Sequence, residues 1–222
     1  MFFGFRVYTA GDVNGDGFSD IIIGAPHYDN GQVNEGVVFI YQGTESGPQS
    51  SGYYFMKESN LAGAQFGFSV AGAGDVDRDG YDDVIVGAPY WEQGEGGADE
   101  GGAWVYRGTS SGMVSTPYWY KESDQAGALF GWSVAGAGDT NGDGYAEVIV
   151  GAPLAENDIE DDGEGLAYVY RGSAAGMIST PYFSKDADQA GAHFGASVAS
   201  AGDVNRDGYA DVIVGAPNYN GG

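Results

Sequence analysis

Four nine-residue segments hold the side chains best suited to chemistry: Asp12-Val-Asn14-Gly-Asp16-Gly-Phe18-Ser-Asp20, Asp75-Val-Asp77-Arg-Asp79-Gly-Tyr81-Asp-Asp83, Asp139-Thr-Asn141-Gly-Asp143-Gly-Tyr145-Ala-Glu147 and Asp203-Val-Asn205-Arg-Asp207-Gly-Tyr209-Ala-Asp211. Each puts oxygen-bearing side chains at positions 1, 3, 5 and 9. A hard divalent cation such as Ca²⁺ takes about 6–8 oxygens at roughly 2.3–2.6 Å, and carboxylates two residues apart in a curling loop can converge on one centre. Gly at position 6 permits the bend. The aromatic at position 7, which is Phe18, Tyr81, Tyr145 or Tyr209, offers its backbone carbonyl, and the acid at position 9 closes the shell. The pattern is the first half of a helix-flanked calcium loop without the glutamate at position 12. A single copy reads equally well as a solvated Asn-Gly-Asp-Gly turn; four copies in one register point to about four Ca²⁺ per chain.

Composition agrees with a cation-binding chain. Lys and Arg total 8 against 32 Asp and Glu, a net charge of −24, which repels phosphate backbones and argues against nucleic acid as a partner. Four bound Ca²⁺ would bring that charge to about −16. There is no cysteine, so disulfides, thiolate metal sites and cysteine nucleophiles are all excluded. No apolar run approaches the ~20 residues of a membrane-spanning helix, and the start MFFGFRVYTAGD lacks the plan of a signal sequence. The expectation is a soluble module with no signal sequence in this segment.

The elements that must position the loops are legible as repeats. Phe-Gly recurs at 3, 66, 130 and 194, and Gly-Ala-Pro follows at 24–26, 87–89, 151–153 and 215–217. Each period reads as four short strands: A is the Ser-Val-Ala run, B the Asp-Val-Ile-Val run, C a phrase such as Ala-Trp-Val-Tyr from Ala103, and D the Tyr-rich run from Pro117 and its equivalents. The acidic loop joins A to B. Helical periodicity is nowhere sustained, and 41 glycines punctuate turns. The reading is all-β: a β-propeller of four-stranded antiparallel blades, at 3–65, 66–129 and 130–193, with a half blade at 194–222. A solenoid of stacked sheets is the alternative. About three and a half blades make an open arc, a piece of a longer propeller or one that closes by pairing with another copy.

The Phe-Gly, the acidic loop and the Gly-Ala-Pro together resemble the FG-GAP repeat, the blade of the integrin α-subunit propeller, found also in bacterial secreted proteins and in glycosylphosphatidylinositol-specific phospholipase D. The resemblance covers essentially the whole chain. It implies Ca²⁺ in the A–B loops on one rim and a partner on the opposite face. Integrin propellers have seven blades and disulfides, so this cysteine-free chain with a calcium loop in every repeat looks more like a prokaryotic relative.

On that opposite face lie the B–C loops, His27 to Glu35, Tyr90 to Glu100 and Leu154 to Glu164, which vary while the framework repeats. Tyr28, Tyr90 and Trp91 are candidate contact residues for a protein or a glycan, and the acidic run from Asn157 is a candidate further cation site. Catalysis has little support: His193 and His27 occupy positions that vary between repeats, and the regularly spaced carboxylates belong to the loops. The expected function is non-enzymatic: a Ca²⁺-binding extracellular adhesion or protein-interaction propeller. The alternative is the carbohydrate-binding or accessory propeller of a secreted enzyme. Calcium modules with Kd around 10⁻⁴–10⁻³ M fill only outside the cell, which sets the expected location.

Overall fold

Short runs of β-branched residues bounded by glycine become strands because each can bury both faces between neighbours. The computed structural model describes residues 3–49, 52–92, 98–156 and 163–221, and among these there is no helix. There is accordingly none long and apolar enough to cross a membrane. Blade 1 comprises β1 (Arg6–Gly11), β2 (Asp20–Ala25), β3 (Val37–Tyr41) and β4 (Phe55–Glu58). Blade 2 comprises β5 (Ser69–Gly74), β6 (Asp83–Ala88), β7 (Gly102–Tyr106) and β8 (Trp119–Glu122). Blade 3 comprises β9 (Ser133–Gly138), β10 (Glu147–Ala152), β11 (Leu166–Tyr170) and β12 (Phe183–Asp186), and β13 (Ser197–Gly202) and β14 (Asp211–Gly215) form a two-stranded remainder. All four sheets are antiparallel meanders, and they do not close into a ring. This is the all-β, open, partial propeller expected from the repeats.

The inner strands β1, β5, β9 and β13 stand side by side. Together they line a cavity of about 210 Å³ bordered by Tyr8, Val70, Val134 and Val198. Alternate residues of each B strand face opposite neighbours. Val84 and Val86 pack towards blade 1 with Ile22, Val38 and Phe66, whereas Ile85 packs towards blade 3 with Val148, Val150 and Phe130. The core is therefore sandwiched between blades rather than enclosed within one.

The two named tripeptide and dipeptide motifs meet across the blade interface. A Cβ on Gly24 would lie 2.0 Å from the Gly67 carbonyl oxygen, and Gly87 and Gly151 stand in the same relation to Gly131 and Gly195, at 2.1 and 2.0 Å. The glycine of Gly-Ala-Pro is thus required because the next blade's Phe-Gly peptide presses directly on its backbone. Ser69 and Ser133 then lock that peptide, donating Oγ–H to the Gly131 and Gly195 carbonyls at 2.7 Å each. The adjoining Phe66 and Phe130 are fully buried, Phe66 edge-on to Trp104 at 5.3 Å.

Candidate metal centre

Each A strand bulges at its last glycine (Gly11, Gly74, Gly138 and Gly202, with φ of 79, 73, 76 and 68°), which turns the chain out of the sheet and into the acidic loop. In all four loops the position-1 aspartate then gathers backbone N–H groups. Asp12 accepts from Gly15, Asp16 and Gly17, and Asp75 from Asp79 and Gly80 at 3.0 and 2.9 Å. Asp139 accepts from Gly142 and Gly144, and Asp203 from Asp207 and Gly208. The position-6 glycines have φ of 90, 93, 87 and 93°, as the bend demands. Position 4 is left-handed as well, and there two of the four residues are not glycine: Arg78 at 61° and Arg206 at 64°.

Position 5 caps the residue two ahead: Asp16, Asp79, Asp143 and Asp207 accept the N–H groups of Phe18, Tyr81, Tyr145 and Tyr209 at 3.0–3.1 Å. Position 3 differs between copies. Asn14, Asn141 and Asn205 accept the position-5 N–H, while Asp77 instead takes an ion pair from Arg107 at 3.0 Å. Arg107 lies over the Tyr118 ring, 4.6 Å from its centroid.

The position-9 acid has a role that spacing alone does not convey. Asp83 is fully buried and accepts from Val76 N–H at 2.9 Å and from Gly108 N–H, beyond β7, at 3.0 Å. Asp20 does the same with Val13 and Gly43. Glu147, one methylene longer, accepts from both Thr140 N–H and Thr140 Oγ–H and reaches Asn141 Nδ2 at 3.2 Å. Asp211 accepts only from Val204 among the described residues. This acid ties the loop's second residue to the sheet, so it builds the site from beneath.

Electrostatics single out the second loop. Asp75, Asp77 and Asp83 each bring an oxygen within 4.8 Å of the others. Asp79 stands outside that group. Burial, reinforced by Asp77 and Asp79, pushes the Asp83 carboxyl up to about 8 against the pull of its two backbone donors. Burial raises Asp20 and Glu147 in the same way, while Asp16, held by Gln42 Nε2 at 2.7 Å, is lowered. Asp77 Oδ1 is buried with no hydrogen-bond partner.

Successive loops are linked by the backbone. The position-1 carbonyl oxygens of Asp12, Asp75 and Asp139 accept the position-8 N–H groups of Asp82, Ala146 and Ala210 in the following loop, at 3.1, 3.1 and 2.9 Å. Asp82 also accepts the Asp12 N–H at 2.8 Å. These links were not evident from the spacing, because position 8 varies between Ser, Asp and Ala.

Residues 3–41, 66–106, 130–170 and 194–222 match the FG-GAP repeat. The chain belongs to the FG-GAP repeat family. Integrin alpha-4 of Xenopus laevis is 35% identical over 159 residues, covering 70% of this chain and 15% of that protein. Integrin alpha pat-2 of Caenorhabditis briggsae is 33% identical over 226 residues, covering 94% of this chain and 17% of that protein. Human integrin alpha-IIb is 37% identical over 159 residues, with 68% and 15% covered. The chain therefore spans under a fifth of the length of these relatives.

On the rim opposite the acidic loops, the residues following the first three Phe-Gly pairs form an aromatic row. Phe5 and Phe68 lie 5.3 Å apart, and Phe68 and Trp132 4.7 Å, flanked by His27 and Tyr90. Trp91, expected as a contact residue, turns into blade 2 instead: it packs edge-on to Trp104 at 4.8 Å and donates Nε1–H to Tyr120 Oη at 2.8 Å. Residues 93–97 and 157–162, which include most of the acidic run from Asn157, lie outside the described residues.

Proposed function

We propose that this chain is a Ca²⁺-binding, extracellular FG-GAP propeller segment that mediates adhesion or protein–protein interaction. The A–B loops carry the cations and the opposite rim meets the partner. The observation that carries the reading is the second loop. Three carboxylates within 4.8 Å, one of them with a buried, unpartnered oxygen at Asp77 Oδ1, form a donor set that a hard cation satisfies. Asp75, Asp77 and Asp83, joined by Asp79 of the same loop, would hold the ion there, with Asp12, Asn14, Asp16 and Asp20; Asp139, Asn141, Asp143 and Glu147; and Asp203, Asn205, Asp207 and Asp211 in the other loops. Phe18, Tyr81, Tyr145 and Tyr209 add carbonyl oxygens.

The role of calcium in this reading is structural. It neutralises acids that the fold crowds together, and so stiffens the rim through which adjacent blades are linked. Integrin alpha relatives support a surface or secreted location and a protein partner, and the Phe5–Phe68–Trp132 row supplies rigid aromatic contact area for one. The inward turn of Trp91 weakens the carbohydrate alternative.

Calorimetric titration of chelator-stripped protein with Ca²⁺ tests the cation half. Saturable binding, with one loop site lost in Asp75→Asn, is the expected result; an unchanged count in that variant rejects the loop assignment. For the partner half, Trp132→Ala should abolish capture by extracellular-matrix protein surfaces while leaving calcium binding intact.

A further inference from the structure

A second group of carboxylates lies at the other end of blade 2, outside the A–B loops. Glu100 lies two residues before β7, Glu122 ends β8, and Asp124 follows two residues later. The register places them: Gly102 pairs with Glu122 and with Ala88, at the end of β6 remote from Asp83. One oxygen from each of the three lies within 4.8 Å of the others. Glu100 is 3% exposed, and its Oε1 is buried with no hydrogen-bond partner. A buried carboxylate oxygen facing two further carboxylates is costly unless a cation or a shared proton joins them.

The equivalent places in the other blades meet part of the same conflict with protein groups, although Glu35 Oε2 in blade 1 is likewise buried without a hydrogen-bond partner. In blade 1, Asn30 donates its N–H to Glu35 Oε1 and its Nδ2–H to both oxygens of Glu58, at 3.3 and 3.0 Å, and the third position is Asn60. In blade 3, Lys185 Nζ reaches Asp186 at 3.4 Å and Asp188 at 3.0 Å. Blade 2 has as many acids as blade 3, whose equivalent places hold Glu164, Asp186 and Asp188, but among the described residues it is the blade-2 trio whose oxygens converge within 4.8 Å. Lys121 meets only the outer Asp124 Oδ2, at 2.9 Å, and Tyr120 Oη donates to Glu122 Oε2, leaving Glu100 Oε1 unmatched. Burial, with Glu122, Asp124 and Glu92 adding to it, raises the Glu100 carboxyl.

We propose that Glu100, Glu122 and Asp124 form a second kind of divalent-cation site, for Ca²⁺ or a similar hard cation completed by water, on the rim opposite the A–B loops. It stands independently of the loop assignment. The site borders the aromatic stack of Trp91, Trp104 and Tyr120, since Trp91 bonds Tyr120 and Tyr120 bonds Glu122. A lanthanide bound there is therefore excited through tryptophan.

The test uses the full chain, with Tb³⁺ emission excited through tryptophan and the Ca²⁺ count by calorimetry. Glu100→Gln should remove one Ca²⁺ from the count and abolish the tryptophan-excited emission that Ca²⁺ displaces, and Asp75→Asn should leave that emission in place. Asp124→Asn alters a side chain that is 70% exposed, so it preserves the fold if Glu100→Gln does not, and it should weaken the site at least about tenfold. Unchanged count and emission in both variants would overturn the proposal in favour of a proton shared by Glu100. Emission lost only in Asp75→Asn would also overturn it, while leaving the loop assignment standing.

Discussion

Residues 66–89 of blade 2 and 194–217 of the terminal hairpin differ at only four of 24 positions: Phe68/Ala196, Gly72/Ser200, Asp77/Asn205 and Asp82/Ala210. They nevertheless live in different surroundings. Ile85 is fully buried and Ile213 is 61% exposed; Val76 is fully buried and Val204 is 70% exposed. Position 3 apart, the hydrogen bonds inside the two acidic loops are the same in kind, with Asp75 and Asp203 gathering equivalent N–H groups and Asp83 and Asp211 each holding the residue at position 2. Loop geometry is thus written locally, whereas burial is conferred by the next blade and by the third and fourth strands that β13–β14 lacks here.

The sharpest way to break this contrast is a matched pair of truncations. Ile85→Ala should cost about 2–5 kcal/mol in denaturant unfolding, and Ile213→Ala should stay within about 0.5 kcal/mol. Equal losses would mean that the terminal hairpin is covered in solution, as it would be by a second copy.

Calcium should act the other way and treat the two regions alike. A site occupied at 100 times its Kd contributes about 2.7 kcal/mol, so Asp79→Ala and Asp207→Ala should each lower the melting temperature in calcium and hardly change it in chelator. Equal losses in both media would show that these carboxylates act only as turn caps.

The smallest effect concerns the bend itself. Gly80 and Gly208 both have φ of 93°, and a Cβ on either would meet nothing within 4 Å, so replacement by Ala costs conformation alone. About 1–2 kcal/mol is expected at each. A smaller value at Gly208 in global unfolding would show that the hairpin melts separately from the three full blades.

The sequence conveyed the strands, their order and the loops because each rests on a local rule: glycine where φ is positive, alternating β-branched residues where both faces are covered, Asp and Asn where backbone N–H groups converge. What it did not convey depends on partners distant along the chain. Arg107 meets Asp77 across 30 residues, and Gly108 reaches back to Asp83. Trp91 looked like exposed contact surface because nothing nearby in sequence announced Trp104 and Tyr120 as its partners. Glu100 read only as the end of a variable loop for the same reason, since Glu122 joins it only through the β7–β8 pairing. Arg78 and Arg206 in left-handed conformations concealed a turn position that glycine marks in the other two loops.

The backbone links between successive acidic loops use one atom pair throughout, a carbonyl oxygen leaving each copy and an amide entering the next. The Gly-Ala-Pro and Phe-Gly glycines form an equally uniform seam. Neither depends on a side chain that distinguishes one copy from another. A blade can accordingly be duplicated, deleted or exchanged between genes without inventing a new interface, so this architecture can change its length in whole units while substitutions accumulate in the variable loops between strands B and C.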